Sequence, residues 1–190
     1  MAAEPAKVSE APVIPGNLSY IITKKSRFDT AFLDLQWLLR ARSKDITRPN
    51  ITSILVEPTK IIATDGHRLH IITNPYPSIP FGEYDVYAIN QSKIIIIAKG
   101  GAAKDSFFPD WNRPAITMEG KTPEHEIAID HPKYLYIEIL KRRIVDLHLL
   151  ESAKSDEPMT VRIYGDDQPV IITTSARTAI VMPLLDRKVS

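Results

Sequence analysis

The chain contains no cysteine, which excludes a disulfide framework and any thiolate metal site. That absence fits a reducing cytoplasm, the expected location. No apolar run approaches the roughly 20 residues needed to span a bilayer. The longest continuous aliphatic run covers only residues 94–98, so no membrane partner is expected. The N-terminus lacks a basic region followed by an apolar stretch, and no signal peptide is expected. Neither sign of charge dominates: 24 Lys and Arg face 23 Asp and Glu, a net charge of +1. Bulk charge therefore announces no nucleic-acid partner, although field depends on distribution as well as sum, and a local basic surface stays open. Neither a glycine-rich phosphate loop nor a nucleophile–base pair is present. The expectation is a non-enzyme with no catalytic residue and no cofactor.

What is present is a chain of 190 residues, 44% of them apolar, enough for one domain or two small ones. Residues 1–16 are rich in Ala, Pro and Glu without a period, and read as a disordered arm. A loop-rich stretch at 101–123 carries Gly101, Pro109, Pro114, Gly120 and Pro123. It separates two patterned half-units, 17–100 and 124–187, within one domain expected over 17–187.

The first half opens on a β-prone run at 18–23. Ser26 then stands where a helix N-cap belongs, with Asp29 as its acidic partner. Phe28, Ala31, Phe32, Leu35, Leu38 and Leu39 follow at the spacing of one helical face. Strands are predicted at 51–57, 61–64, 68–73 and 83–89, with a turn at Asp65-Gly66. Residues 90–100 suit a strand by propensity but also allow a short helix. The second half repeats the order. A strand at 126–130 precedes a helix entered through Asp130 and Pro132 and closed by Lys141-Arg142-Arg143. Strands are then predicted at 145–150, 159–164, 169–174 and 178–184. One amphipathic helix per repeat of strands points to an α+β fold, with helices on one side of curved antiparallel sheets.

Three local motifs stand in order: Ala63-Thr64-Asp65-Gly66-His67-Arg68-Leu69, then Phe108-Pro109-Asp110-Trp111-Asn112-Arg113, then Thr178-Ala179-Ile180-Val181-Met182-Pro183-Leu184. Together they resemble the bacterial sliding clamp, the beta subunit of DNA polymerase III. The heptad around Asp65-Gly66-His67 is the most specific of the three, and Trp111 replaces the family's usual Tyr. The resemblance implies a DNA-clamp fold, shortened by a long internal deletion compressed into residues 90–124.

The resemblance also implies a surface pocket for short linear peptides of polymerases and repair proteins. Carried over by position, its residues are Thr64, Gly66, His67, Arg68, Leu69, Pro109, Arg113, Val181, Met182, Pro183 and Leu184. Leu69, Val181, Met182 and Leu184 would form an apolar floor, while His67 and Arg68 would orient the ligand from the rim. The family holds duplex DNA loosely through basic residues, which read phosphate and not sequence. The candidates here are Lys24, Lys25, Arg27, Arg40, Arg42, Lys44, Lys141, Arg142 and Arg143. The plainer reading of these side chains is dipole partners and solvated surface. Asp65, His67 and His70 raise the question of zinc. His67 and His70 are offset by an odd number on a strand, so no metal is expected. The resemblance implies a homo-oligomeric ring around DNA, of about six one-domain copies or three two-domain copies. Its rival is a clamp-derived adaptor or decoy that binds peptides without encircling DNA.

Overall fold

The computed structural model describes residues 8–10, 18–99, 108–140 and 145–183. The chain divides into two compact units, residues 1–66 with 71–109 and residues 67–70 with 110–190.

In the first unit, strands β1 (Val8–Glu10), β2 (Ser19–Thr23), β3 (Ser53–Val56), β4 (Lys60–Thr64), β5 (Arg68–Thr73), β6 (Gly82–Ile89) and β7 (Lys93–Ala98) lie in the order β1-β2-β7-β6-β3-β4-β5. Of β5, residues 71–73 belong to this unit. Residues 93–98, which the sequence left undecided, form β7 between β2 and β6. Ile95 faces Ile21 on one side and Ala88 on the other. Ile94 and Ile96 are buried while Ile95 and Ile97 are half-buried, the two-residue alternation of a strand that helical geometry could not satisfy. Within the stretch read as a disordered arm, residues 8–10 form β1 and pair antiparallel with β2. The rest of that stretch lies outside the described residues.

Helix α1 (Thr30–Leu38) buries Phe32, Leu35, Trp37 and Leu38 and packs on β4. A tight 3-10 turn at Leu39–Ala41 ends it. The N-cap is Asp29 and not Ser26. Asp29 Oδ1 accepts from Phe32 N at 3.1 Å and Oδ2 from Lys25 N at 2.8 Å. Ser26 instead shapes the turn before the helix: its Oγ accepts from Phe28 N and its carbonyl from Asp29 N. A carboxylate with two acceptor oxygens suits the positive end of a helix better than a hydroxyl. Asp29→Ala is expected to lower stability by about 1 kcal/mol. Ser26→Ala should change it by less than about 0.5 kcal/mol. Thermal melts of the two variants distinguish the caps, and equal losses would return the role to Ser26.

In the second unit, β8 (His125–Ile129), β9 (Met159–Ile163), β10 (Val170–Thr173) and β11 (Arg177–Val181) give the order β5-β11-β10-β9-β8, with residues 68–70 supplying β5. Met159, Val161 and Ile163 of β9 are buried in alternation. A four-residue helix α2 (Pro114–Thr117) occupies part of the stretch read as loop, with proline in its first turn. Helix α3 (Lys133–Leu140) follows β8 as expected. The strand expected at 145–150 is not there. Helix α4 (Leu147–Ala153) takes its place, capped by Asp146, whose Oδ1 accepts from His148 N at 2.7 Å. Val145, Leu150 and Ala153 are buried, Leu149 half-buried. That spacing is helical, and the leucines carry no β-branch to favour a strand.

Candidate functional site

Two of the three motifs implied to form a peptide pocket, the first and the third, come together at β5 and β11, neighbouring strands of the second unit's sheet. The chain leaves β11 at Met182, whose backbone N–H donates to the His67 carbonyl at 2.9 Å. This bond holds residues 181–183 beside the start of β5. The same register sorts the side chains. Val181 is 0% and Leu69 6% exposed, whereas Met182 is 36% exposed. His67 is exposed, Pro183 half-buried and Arg68 buried. Val181 and Leu69 therefore belong to the core and not to an open apolar floor. A strand end places alternate residues on opposite faces, and the buried face belongs to the sheet's own packing. Leu184 lies outside the described residues. The surface available to a ligand here is formed by Met182 and His67, flanked by Pro183.

The other candidates for that pocket are distributed as follows. Thr64 and Gly66 belong to the first unit, as does Pro109. Thr64 is buried, and its Oγ1 accepts from Gly66 N at 3.0 Å. Gly66 has φ +92°, a conformation costly for any side chain, and the Arg48 guanidinium lies 3.1 Å from where a Cβ would sit. These two residues shape the β4–β5 turn. Arg113 is exposed in the second unit, and its Nε donates to Asp110 Oδ2 at 3.0 Å. Its charge is thus met by a carboxylate three residues earlier in the same motif.

His70 faces the interior, 0% exposed, with Nε2 3.5 Å from Ser152 Oγ of α4. His67 is exposed. The odd offset thus separates the two imidazoles, and among the described residues no group of three metal-ligating side chains is present.

The basic candidates fall into two groups at opposite ends of α1, a nine-residue helix about 13 Å long. Lys24, Lys25 and Arg27 precede it. Lys24 Nζ lies over the Phe32 ring at 5.9 Å and the Arg27 guanidinium over Phe28 at 5.7 Å. Lys25 is exposed. Arg40, Arg42 and Lys44 follow it. Arg40 and Lys44 are exposed, but Arg42 is turned inward, and its Nη1 donates to the Thr52 carbonyl at 3.0 Å. Burial pulls the Arg42 guanidinium below the usual arginine range, partly offset by the charge of Asp85. Arg42 is therefore half-buried, with one guanidinium nitrogen already engaged by the backbone. Asp45, beside Lys44, is held below the usual carboxylate range by hydrogen bonds from the Thr47 hydroxyl and then its backbone N–H. Lys141, Arg142 and Arg143 lie outside the described residues. Within the helices α1 to α4 the ionised side chains are Lys133 against Asp34, Glu138 and Glu151. Basic charge sits at helix ends and turns, and the helix bodies are acidic. Among the described residues no helix is long and apolar enough to cross a membrane.

No protein-family model matches the chain, and neither does any curated protein sequence. Solved structures do match. DNA polymerase III beta of Caulobacter crescentus superposes with a TM-score of 0.57 at 13% identity, over 92% of this chain and 68% of that one. The DNA polymerase III beta subunit of Thermotoga maritima gives 0.51 at 10% identity, over 97% and 68%. The Helicobacter pylori beta clamp bound to DNA ligase peptide gives 0.51 at 11% identity, over 93% and 68%. At such identities the likeness is one of backbone. The chain has the α+β DNA-clamp fold of bacterial beta clamps.

Proposed function

We propose that this chain is a sliding-clamp-like processivity factor of DNA replication or repair, a non-enzymatic tether that holds a polymerase or repair protein on duplex DNA. The observation that carries the reading is the clamp fold itself, matched over more than nine-tenths of the chain by beta clamps from separate bacteria. The partner would bind through a short linear peptide at Met182 and His67, where an exposed adaptable thioether adjoins an exposed imidazole. DNA would be held without sequence preference through phosphate, with Lys25, Arg27, Arg40 and Lys44 as the exposed described candidates.

A second reading is favoured by one observation. The described helix bodies carry one lysine against three carboxylates, a poor lining for a phosphate channel. On that reading the chain is a non-encircling adaptor or decoy that competes for clamp partners.

Native mass with and without nicked circular DNA separates the two. A processivity factor assembles into a ring of about six or three copies and is retained on circles but released when they are linearised. A monomer at high concentration with no retention on circles overturns the ring. If that monomer still binds a clamp-binding peptide, the adaptor reading takes its place.

A further inference from the structure

Three methionines lie among the described residues, and they differ sharply. Met118 is 3% and Met159 2% exposed, while Met182 is 36% exposed. Met159 belongs to β9 and Met118 closes the short helix α2. Access to a small oxidant in solution follows exposure, so of the three described methionines Met182 is the thioether that a peroxide reaches first. Its position gives that reaction a consequence. The Met182 backbone is tied to the His67 carbonyl at 2.9 Å, which holds the residue beside the start of β5. Modification therefore changes the chemistry of the surface at a fixed place.

We propose that Met182 is a peroxide-sensitive modification site whose oxidation switches off partner-peptide binding. In the step, the thioether sulfur attacks one oxygen of a peroxide. The S–O bond forms as the O–O bond breaks. Sulfur loses two electrons to become the sulfoxide, and the peroxide is reduced to water. The flexible apolar side chain becomes a polar, chiral one. An apolar peptide anchor seated on it would then desolvate a sulfoxide oxygen without supplying a donor. Enzymatic reduction of methionine sulfoxide restores the thioether, so the switch is reversible. The inference rests on the partner-binding reading of the same site.

The test uses the full chain and a fluorescent copy of the DNA ligase peptide held by the Helicobacter pylori clamp. Hydrogen peroxide is added in steps, and peptide mapping by mass spectrometry follows each methionine. Met182 is expected to gain one oxygen well before Met118 and Met159. Peptide affinity is expected to fall about 10- to 100-fold in step with that gain. Met182→Leu keeps the apolar volume and should bind the peptide with affinity unchanged by peroxide. Oxidation of Met118 or Met159 at the same rate as Met182 overturns the site. Affinity that survives complete oxidation of Met182, or that Met182→Leu loses equally under peroxide, overturns the switch alone. Absence of peptide binding by the reduced protein overturns the partner reading and the switch with it, and the mapping result shows which part failed.

Discussion

Replacing Phe32 with alanine will destabilise the first unit by about 3–5 kcal/mol. The ring is 0% exposed and sits in the first turn of α1, a helix that packs on β4. Removing it deletes the transfer free energy of a large apolar side chain and leaves a cavity that fixed backbone on both sides cannot close. Asp29 fixes the Phe32 amide through its side chain, so the first turn cannot slide to refill the space. Lys24 also loses the ring beneath its ammonium group. The two tryptophans make the measurement specific. Trp37 lies in the first unit and Trp111 in the second, so Trp111→Phe leaves a reporter for the first unit and Trp37→Phe one for the second. Urea unfolding followed through Trp37 should shift by the full amount. A shift below about 1 kcal/mol would mean that neighbouring side chains collapse into the site and that Phe32 is not a keystone of this core.

Phe32 also shows what kind of information the sequence carried. It lay on the helical face read from spacing alone, and the helix is there. The strands with clean alternation or strong β-propensity were equally readable, and β5 has the limits its pattern indicates, Arg68–Thr73. The errors have physical causes. Ser26 and Asp29 are both good caps. The choice between them depends on which residue sits one place before the first helical turn, and the two stand three residues apart, almost one turn of helix. The run Val145-Asp146-Leu147-His148-Leu149-Leu150 alternates apolar and polar residues over five places, a strand-like pattern too short to outweigh a helix that continues to Ala153. Asp146, which caps α4, stands inside that run, and a capping residue there is the local signal for a helix start.

The candidate site was legible in a different degree. The pairing of the motifs at 63–69 and 178–184 came from their resemblance to a family and not from any local rule, since β5 and β11 are more than a hundred residues apart in the chain. Side-chain exposure was not legible at all. Val181 and Met182 are adjacent and both apolar, yet one is fully buried and the other open. Arg42 shows the same limit among the basic residues. Its place near a helix end suggested solvent, but its guanidinium finds the Thr52 carbonyl, an acceptor that only the folded chain brings near. Charge read from sequence counts cations and cannot say which are already occupied.

Lys99 is one such occupied cation in the first unit. Its side chain is 15% exposed, and Nζ donates to the Pro49 carbonyl at 2.7 Å and the Ser53 Oγ at 2.9 Å. Glu83 Oε2 lies 3.6 Å away and Asp85 Oδ1 3.7 Å away. Glu83 turns its other oxygen to the backbone N–H of Phe108, the residue that opens the second motif. Lys99→Met removes the only ammonium in this set and leaves the Glu83 carboxylate largely buried without its counter-charge. Removing one partner of a buried pair costs about 3–5 kcal/mol. Asp85 is half open to water and both carboxylates lie beyond hydrogen-bonding distance, at 3.6 and 3.7 Å, so the expected loss falls below that range, at about 2–3 kcal/mol. Glu83→Gln alone leaves the ammonium with Asp85 and two neutral acceptors, and should cost less, about 1 kcal/mol. The double variant Lys99→Met with Glu83→Gln removes both charges and should recover more than half of the Lys99→Met loss, because buried charge without a partner is what costs most. Urea titrations of the three variants through Trp37 measure the cycle. Strict additivity would show that Lys99 and Glu83 do not act as a pair. A strong coupling would make the Lys99–Glu83–Phe108 chain the anchor that holds the start of the second motif against β6, placing Pro109 by electrostatics.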